Sequence, residues 1–233
     1  MARKDSGAKL WALFSVVALA ASLLLACAQR APTPAPASVV TKLDTSYGAV
    51  PAAGWKWGVA EITTGAEGRT EDTARHRFTW AFYVVRGSTE VGTGDANKVI
   101  PNGEATLVPA EQDHTHRFLP QSQVLVFRPA DRPFGEFHRG TRLYESSSTL
   151  DLKAGQSYSI RIREFTLASK ASQSITAEAA FGYVLDGTLT VGTGSAAAAY
   201  QAGKVFDLPS KGAQTLRNEG TAPLRFTLVD LHQ

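Results

Sequence analysis

The chain has 233 residues, 19% of them charged, with a formal net charge of +3 and one cysteine. That length suits two small domains, and a single cysteine excludes an intrachain disulfide framework. The positive excess sits at the start, where MARKDSGAK sets Arg3, Lys4 and Lys9 against Asp5. Beyond that stretch the charge falls to +1, which does not supply the basic stripe a nucleic-acid-binding domain needs.

Residues 1–26 read as a targeting segment rather than as fold. Behind the basic start, Leu10–Leu25 (LWALFSVVALAASLLL) is uncharged and short for a membrane span. A plain signal peptide and a membrane anchor are the alternatives to a lipoprotein leader. The segment ends in Leu24-Leu25-Ala26-Cys27, which resembles the lipobox of bacterial lipoproteins. The resemblance implies cleavage before Cys27 and a lipid on Cys27, with the membrane as partner. It also implies a place in the bacterial cell envelope, outside the cytoplasm, periplasmic or at the cell surface.

Residues 27–41 follow as a flexible tether, since Ala28–Thr41 (AQRAPTPAPASVVT) is rich in Pro and Ala. The first folded unit is expected over 42–131. It opens with Trp55 and Trp57, whose alternation puts both on one side of a strand; the readings open there are core, inter-domain packing and a stacking platform for a sugar. Short alternating stretches follow at Val59–Ile62, Phe78–Val85, Thr89–Val91, Ala105–Val108 and Gln123–Phe127. Residues 132–149 have no clean period and read as a connector. A second unit, 150–233, alternates at Ser157–Leu167, Ala180–Leu185, Thr188–Val191, Val205–Leu208, Thr215–Arg217 and Pro223–Leu231. Ala196–Ala199 reads as a loop or edge despite its helical propensity, and no stretch carries a helical period.

The two units are copies. Phe82–Phe118 and Gly182–Asn218 align without a gap, with 12 identities in 37 positions. Gly87-x4-Gly92-Thr93-Gly94 falls on Gly187-x4-Gly192-Thr193-Gly194, and Gly103, Pro109, Thr115 and Arg117 fall on Gly203, Pro209, Thr215 and Arg217. Matched glycines and prolines mark corners between strands. The fold class is therefore all-β, a sandwich or barrel built twice.

FYVVRGSTEV…GEATLVPAEQDHTHRF and YVLDGTLTV…GKVFDLPSKGAQTLRN each resemble the second half of the cupin pattern. The resemblance covers both copies and implies two tandem cupin-type jelly-roll β-barrels, a bicupin, and allows a homodimer formed through exposed barrel edges. Cupins that bind metal use His-x-His, a Glu four residues on, and a later His. Counted back from Gly87 and Gly187, those positions fall on Ala74, His76, Trp80 and His114 in copy one. In copy two they fall on Ser174, Thr176, Ala180 and Gln214. The resemblance thus implies a metal-free second barrel, with Ser174, Thr176 and Gln214 free to hold a small polar ligand or one another.

In copy one, His114 and His116 alternate and share a face if they lie on a strand. With His76 they make three imidazoles able to hold a divalent transition metal with an open position, and Glu111 or Asp113 is placed to orient a ring nitrogen. Against a metal stand Trp80 in place of the carboxylate and the cations Arg75 and Arg77 beside His76. The sequence favours a lipid-anchored bicupin whose degenerate, metal-free pocket binds a small polar ligand or partner, with no confident cofactor. The alternative is a metal-dependent enzyme of oxygenase or isomerase type in copy one. His138 and His232 read as solvated. The chain has no G-x-S-x-G elbow and no phosphate loop, so nucleophilic catalysis has no support and no catalytic residue is singled out.

Overall fold

Strand after short strand is what the Gly/Pro spacing dictates, and the computed structural model contains eighteen among the described residues. It describes residues 37–50, 54–94, 96–130, 140–147, 149–176, 180–208 and 212–233. The leader, Cys27, most of the tether and His138 lie outside them. The first ten strands are β1 (Ser38–Ala49), β2 (Lys56–Thr63), β3 (Arg69–Arg75), β4 (Trp80–Arg86), β5 (Ser88–Thr93), β6 (Ala96–Pro101), β7 (Ala105–Val108), β8 (Asp113–Phe118), β9 (Gln123–Ala130) and β10 (Thr141–Glu145). The rest are β11 (Ser157–Leu167), β12 (Ser172–Thr176), β13 (Ala180–Asp186), β14 (Thr188–Val191), β15 (Ala198–Gln201), β16 (Val205–Leu208), β17 (Ala213–Asn218) and β18 (Leu224–His232). A 3-10 turn, Gly194–Ala196, precedes β15 where the sequence suggested a loop or edge.

The strands form two pairs of antiparallel sheets with one topology used twice. The orders β10-β2-β9-β4-β7 and β3-β8-β5-β6 make the first half, and β1-β11-β18-β13-β16 and β12-β17-β14-β15 the second. Each half is a two-sheet jelly roll rather than a closed barrel. The boundaries expected from the sequence shift in two places. β1 pairs with β11 along Ser38–Ala49, so it completes the second half, not the first. The stretch read as a connector supplies β10, which pairs with β2 in the first half. The reason is reciprocal: each five-stranded sheet needs an outer strand beside β2 or β11, and each half takes it from the chain just ahead of the other half.

Strands buried on both faces read as unbroken apolar runs, and β4 (WAFYVVR) is buried from Trp80 to Val84. Its even-numbered side chains face the four-stranded sheet of its own half. Its odd-numbered ones face the second half, within one core that includes Ala81, Tyr83, Phe127, Phe181, Tyr183 and Val229. Trp57 meets Phe181 edge-on at 4.8 Å and Phe127 meets it at 5.3 Å. The Trp55–Phe78 contact is also edge-on, at 5.3 Å. Both tryptophans are thus buried core, Trp57 also packing across the junction against Phe181, and neither is a sugar platform. Residues 35–233 form one compact unit, and each fully buried aromatic at the junction contributes about 1.5–3 kcal/mol.

The junction also holds a crossed pair of polar contacts. Tyr83 donates to Glu164 Oε2 at 2.8 Å, and Arg225 clamps the other oxygen of that carboxylate at 2.6 and 3.0 Å. In the opposite sense the Tyr183 hydroxyl faces Glu61, which also binds the Gln123 amide. The registers show that the two arrangements are equivalents: Glu61 and Tyr83 both lie opposite Leu125, and Glu164 and Tyr183 both lie opposite Thr227. Burial and then Glu61 push the Tyr183 phenol up to about 12. Burial raises Glu164, but the bonds from Arg225 and Tyr83 and the charges of Arg225 and Lys42 outweigh it and hold the carboxyl below 4.5. A depressed carboxyl stabilises the fold above its unfolded value, and that stability is lost as pH falls through the folded value. Glu164→Gln should therefore flatten the decline of the melting midpoint below about pH 4.5; an unchanged acid limb in the variant would refute the assignment.

Candidate metal centre

β8 reads Asp113-His114-Thr115-His116-Arg117-Phe118, and every second residue is buried. Period-two alternation sends His114, His116 and Phe118 into the sandwich and leaves Asp113, Thr115 and Arg117 on its outside. β8 pairs with β3, placing Ala74 opposite His114, with a bulge between Glu71 and Ala74. His76 follows the end of β3, and its carbonyl accepts the Glu111 N–H at 2.7 Å, which ties it to the chain just ahead of β8. The three imidazoles converge. Ring centroids lie 4.6 Å apart for His76–His114 and His114–His116 and 6.1 Å for His76–His116. One ligand nitrogen from each lies within 4.8 Å of the others.

His114 Nδ1 lies 2.7 Å from the Gln112 carbonyl. A carbonyl can only accept, so the proton sits on Nδ1 and the lone pair on Nε2. That Nε2 is buried and has no hydrogen-bond partner among the described residues. This is the tautomer a metal requires, fixed by a backbone oxygen as ligating histidines commonly are. The expected orienting groups are not the ones used: Glu111 instead pairs with Arg75 at 3.1 Å, and Asp113 points outward. His116, fully buried, packs between Phe82 at 4.9 Å and Phe118 at 5.8 Å.

Trp80 is 4% exposed and stacks on His76 at 3.6 Å, with 10° between the planes. On the register Ala81 opposite Phe127, Trp80 comes opposite Arg128, whose guanidinium lies 5.3 Å from the indole centroid and 5.6 Å from Phe78. Arg77 lies 5.3 Å from the same phenyl ring. The mouth of the first half therefore has three imidazoles, an aromatic wall and a positive rim. Metal–nitrogen bonds of about 2.0–2.1 Å on a tetrahedral ion hold the nitrogens about 3.4 Å apart. The three nitrogens, within 4.8 Å of one another, would have to draw together to bind such an ion, and no fourth protein donor joins them among the described residues.

The second half is built differently. β12 pairs with β17 so that Ile175 lies opposite Gln214, Ser174 opposite Thr215 and Thr176 opposite Ala213. Opposed residues share a face; Ile175 is buried and Gln214 half-buried, whereas Ser174 and Thr176 are exposed. The structure thus does not bring Ser174 and Thr176 together with Gln214. The connection from β12 to β13 is 177–179, one residue shorter than 76–79, so ungapped counting shifts those two positions onto the outer face. Ala180 does stand at the place of Trp80. What the sequence reading missed is an ionic cluster on the inward face: Asp230 takes Arg161 at 2.8 Å and Arg163 at 2.9 Å. Its signal was the alternation Arg161-Ile162-Arg163, two cations on one face of a strand whose other face carries Tyr158, Ile160 and Ile162. His232, expected to be solvated, is 30% exposed and lies 3.3 Å from Asp44.

Two antiparallel jelly rolls in tandem, one carrying a cluster of three histidines, make up the described fold. The chain is similar in fold to solved structures of cupin proteins, AerE and oxalate decarboxylases among them. AerE from Microcystis aeruginosa is 13% identical with a TM-score of 0.56, over 81% of this chain and 99% of that one. An oxalate decarboxylase of Bacillus subtilis, described with Mn(II) centres, is 14% identical with a TM-score of 0.56, over 83% and 78%. A formate complex of Lactobacillus farciminis oxalate decarboxylase is 14% identical with a TM-score of 0.56, over 82% and 86%. No protein-family model and no curated relative matches the sequence. At such identities the likeness shows the fold, and the fold is the cupin fold.

Proposed function

We propose that the first jelly roll is a metal-dependent centre in which His76, His114 and His116 hold a divalent transition metal and act on a small ligand at its open side. The observation that carries the reading is the buried Nε2 of His114, without a hydrogen-bond partner among the described residues, its proton held on the far nitrogen by Gln112. A buried imidazole lone pair without a donor is costly unless something accepts it. The sequence preference for a metal-free pocket gives way to its alternative on this ground. Three imidazoles without a carboxylate suit zinc, copper or iron better than manganese, which departs from the Mn(II) named for the Bacillus neighbour. A bound ion would supply Lewis acidity. Trp80 walls the mouth, Phe82 and Phe118 exclude water around His116, and Arg128 favours an anionic ligand.

The full-length chain, purified without chelator, is expected to carry near-stoichiometric metal, and His76→Ala/His114→Ala is expected to lose it while keeping the fold. No metal in either protein after incubation with zinc, copper or iron salts would end the reading. The parallel stacking of Trp80 on His76 favours the second reading, a bicupin pocket that binds a polar ligand without metal; that same result would leave this reading, or purely structural histidines, in place.

We further infer that the chain is a lipid-anchored protein of the cell envelope, supported by Leu24-Leu25-Ala26-Cys27 and by the absence of any other cysteine. Cys27→Ser should move the protein from the membrane to the soluble fraction and abolish labelling by fatty acid; unchanged fractionation would overturn this.

A further inference from the structure

The place where the second half lost its imidazoles is not featureless. On β11, Ile160 and Ile162 belong to the core shared with the first half, whereas Phe165 and Leu167 belong to the core of the second. Arg161 and Arg163 alternate with the former and therefore share the inner face with the latter; Arg163 lies 5.5 Å from the Phe165 ring centroid. β18 behaves alike: Leu224, Phe226 and Leu228 line the second core, and Asp230 continues their face toward the mouth. Asp230 lies opposite Ala180, at the position equivalent to Arg128 beneath Trp80. A methyl group thus replaces the indole, and guanidiniums stand over Asp230.

The arrangement is layered by charge. The Asp230 side chain is 3% exposed, Arg163 19% and Arg161 30%. Solvent reaching the mouth meets two cations above one buried anion. Arg163 spends an Nη on Asp230, and its Nε is buried without a hydrogen-bond partner among the described residues. At the rim, Asp44 is 45% exposed and engages His232, whose other nitrogen lies 3.8 Å from Asp230. Gln214 shares the inward face across the sandwich. Two guanidiniums meet one carboxylate here, and Arg163 keeps a buried donor without a partner among the described residues.

We propose that this mouth binds a small carboxylate, taken by Arg163 and Arg161 above Asp230, with Gln214 at the opposite wall. The guanidinium fork matches a planar carboxylate in two parallel bonds, which chloride cannot imitate. The site is separate from the histidine cluster and does not depend on metal there. It assigns a binding role to the half whose metal positions are gone.

The test is a titration of the full-length chain with acetate and with malonate at constant ionic strength, followed by the arginine Nε–H resonances. The Arg163 signal, assigned by its disappearance in Arg163→Lys, is expected to shift saturably, and chloride is expected to give no saturation. Arg163→Lys keeps the charge on Asp230 and should weaken binding at least tenfold, read from the melting-midpoint shift; Gln214→Ala should weaken it several-fold. Treatment with chelator should leave the binding curve unchanged, so loss of the metal proposal leaves this one standing. A linear drift shared with chloride, or saturation unaltered by both Arg163→Lys and Gln214→Ala, overturns it. Should Arg163→Lys fail to fold, the Gln214→Ala curve decides, and saturation unaltered by that variant overturns the proposal.

Discussion

Asp230→Ala should cost about 3–5 kcal/mol, because removing one partner of a buried ion cluster strands the others. Asp230 is 2% exposed and accepts from both Arg161 and Arg163. For a chain of this size that loss lowers the melting midpoint on the order of 10 °C. Restoring an apolar set instead, Arg161→Leu/Arg163→Met/Asp230→Leu, should recover most of it, since a well-packed apolar replacement of a buried ionic set is often neutral or better. The measurement is thermal unfolding of the single and triple variants side by side. A single variant within about 1 kcal/mol of the parent would show that solvent already screens the cluster.

A second large effect is expected at Gly182. A methyl group there would collide with the Phe206 ring and come 2.5 Å from the Thr227 carbonyl oxygen. Gly182 lies opposite Phe206, while the equivalent pair in the first half is Phe82 opposite Thr106. The two halves fill one space from opposite strands, ring on β4 in one and ring on β16 in the other. Gly182→Ala should cost about 1–3 kcal/mol by overpacking, and Gly182→Phe should prevent folding. Gly182→Phe with Phe206→Thr reproduces the first half's pair and should fold. Additive losses from Gly182→Ala and Phe206→Leu in denaturant unfolding would show that ring and gap are not coupled.

Much of this fold is legible in the residues themselves. The matched glycines announce the duplicated β unit because a turn with positive φ needs them; Gly87 and Gly187 sit at φ of 72° and 83°. The inward face of β8 is legible in the alternation of His114 and His116. The exchange of Phe82 and Thr106 for Gly182 and Phe206 is also visible in the ungapped alignment, though its meaning needs the pairing of β13 with β16. Three features are not legible. A backbone carbonyl orients His114, and backbone groups leave no mark in a residue pattern. The one-residue difference ahead of β13 falls where the two copies share no identities, so counting does not detect it. The partner of β1 escapes inference too, since an alternating strand fits any free edge of suitable face.

That last feature bears on how the polypeptide is made. β1 leaves the ribosome ahead of the other described strands, yet its partner β11 begins more than a hundred residues later. Its unpaired edge must wait through the synthesis of the entire first half, as β2 must wait for β10. Contacts so distant in sequence slow folding and prolong the exposure of unpaired strand edges. A cut at the midpoint of the repeat, however natural on paper, would leave each fragment holding a strand that belongs to the other.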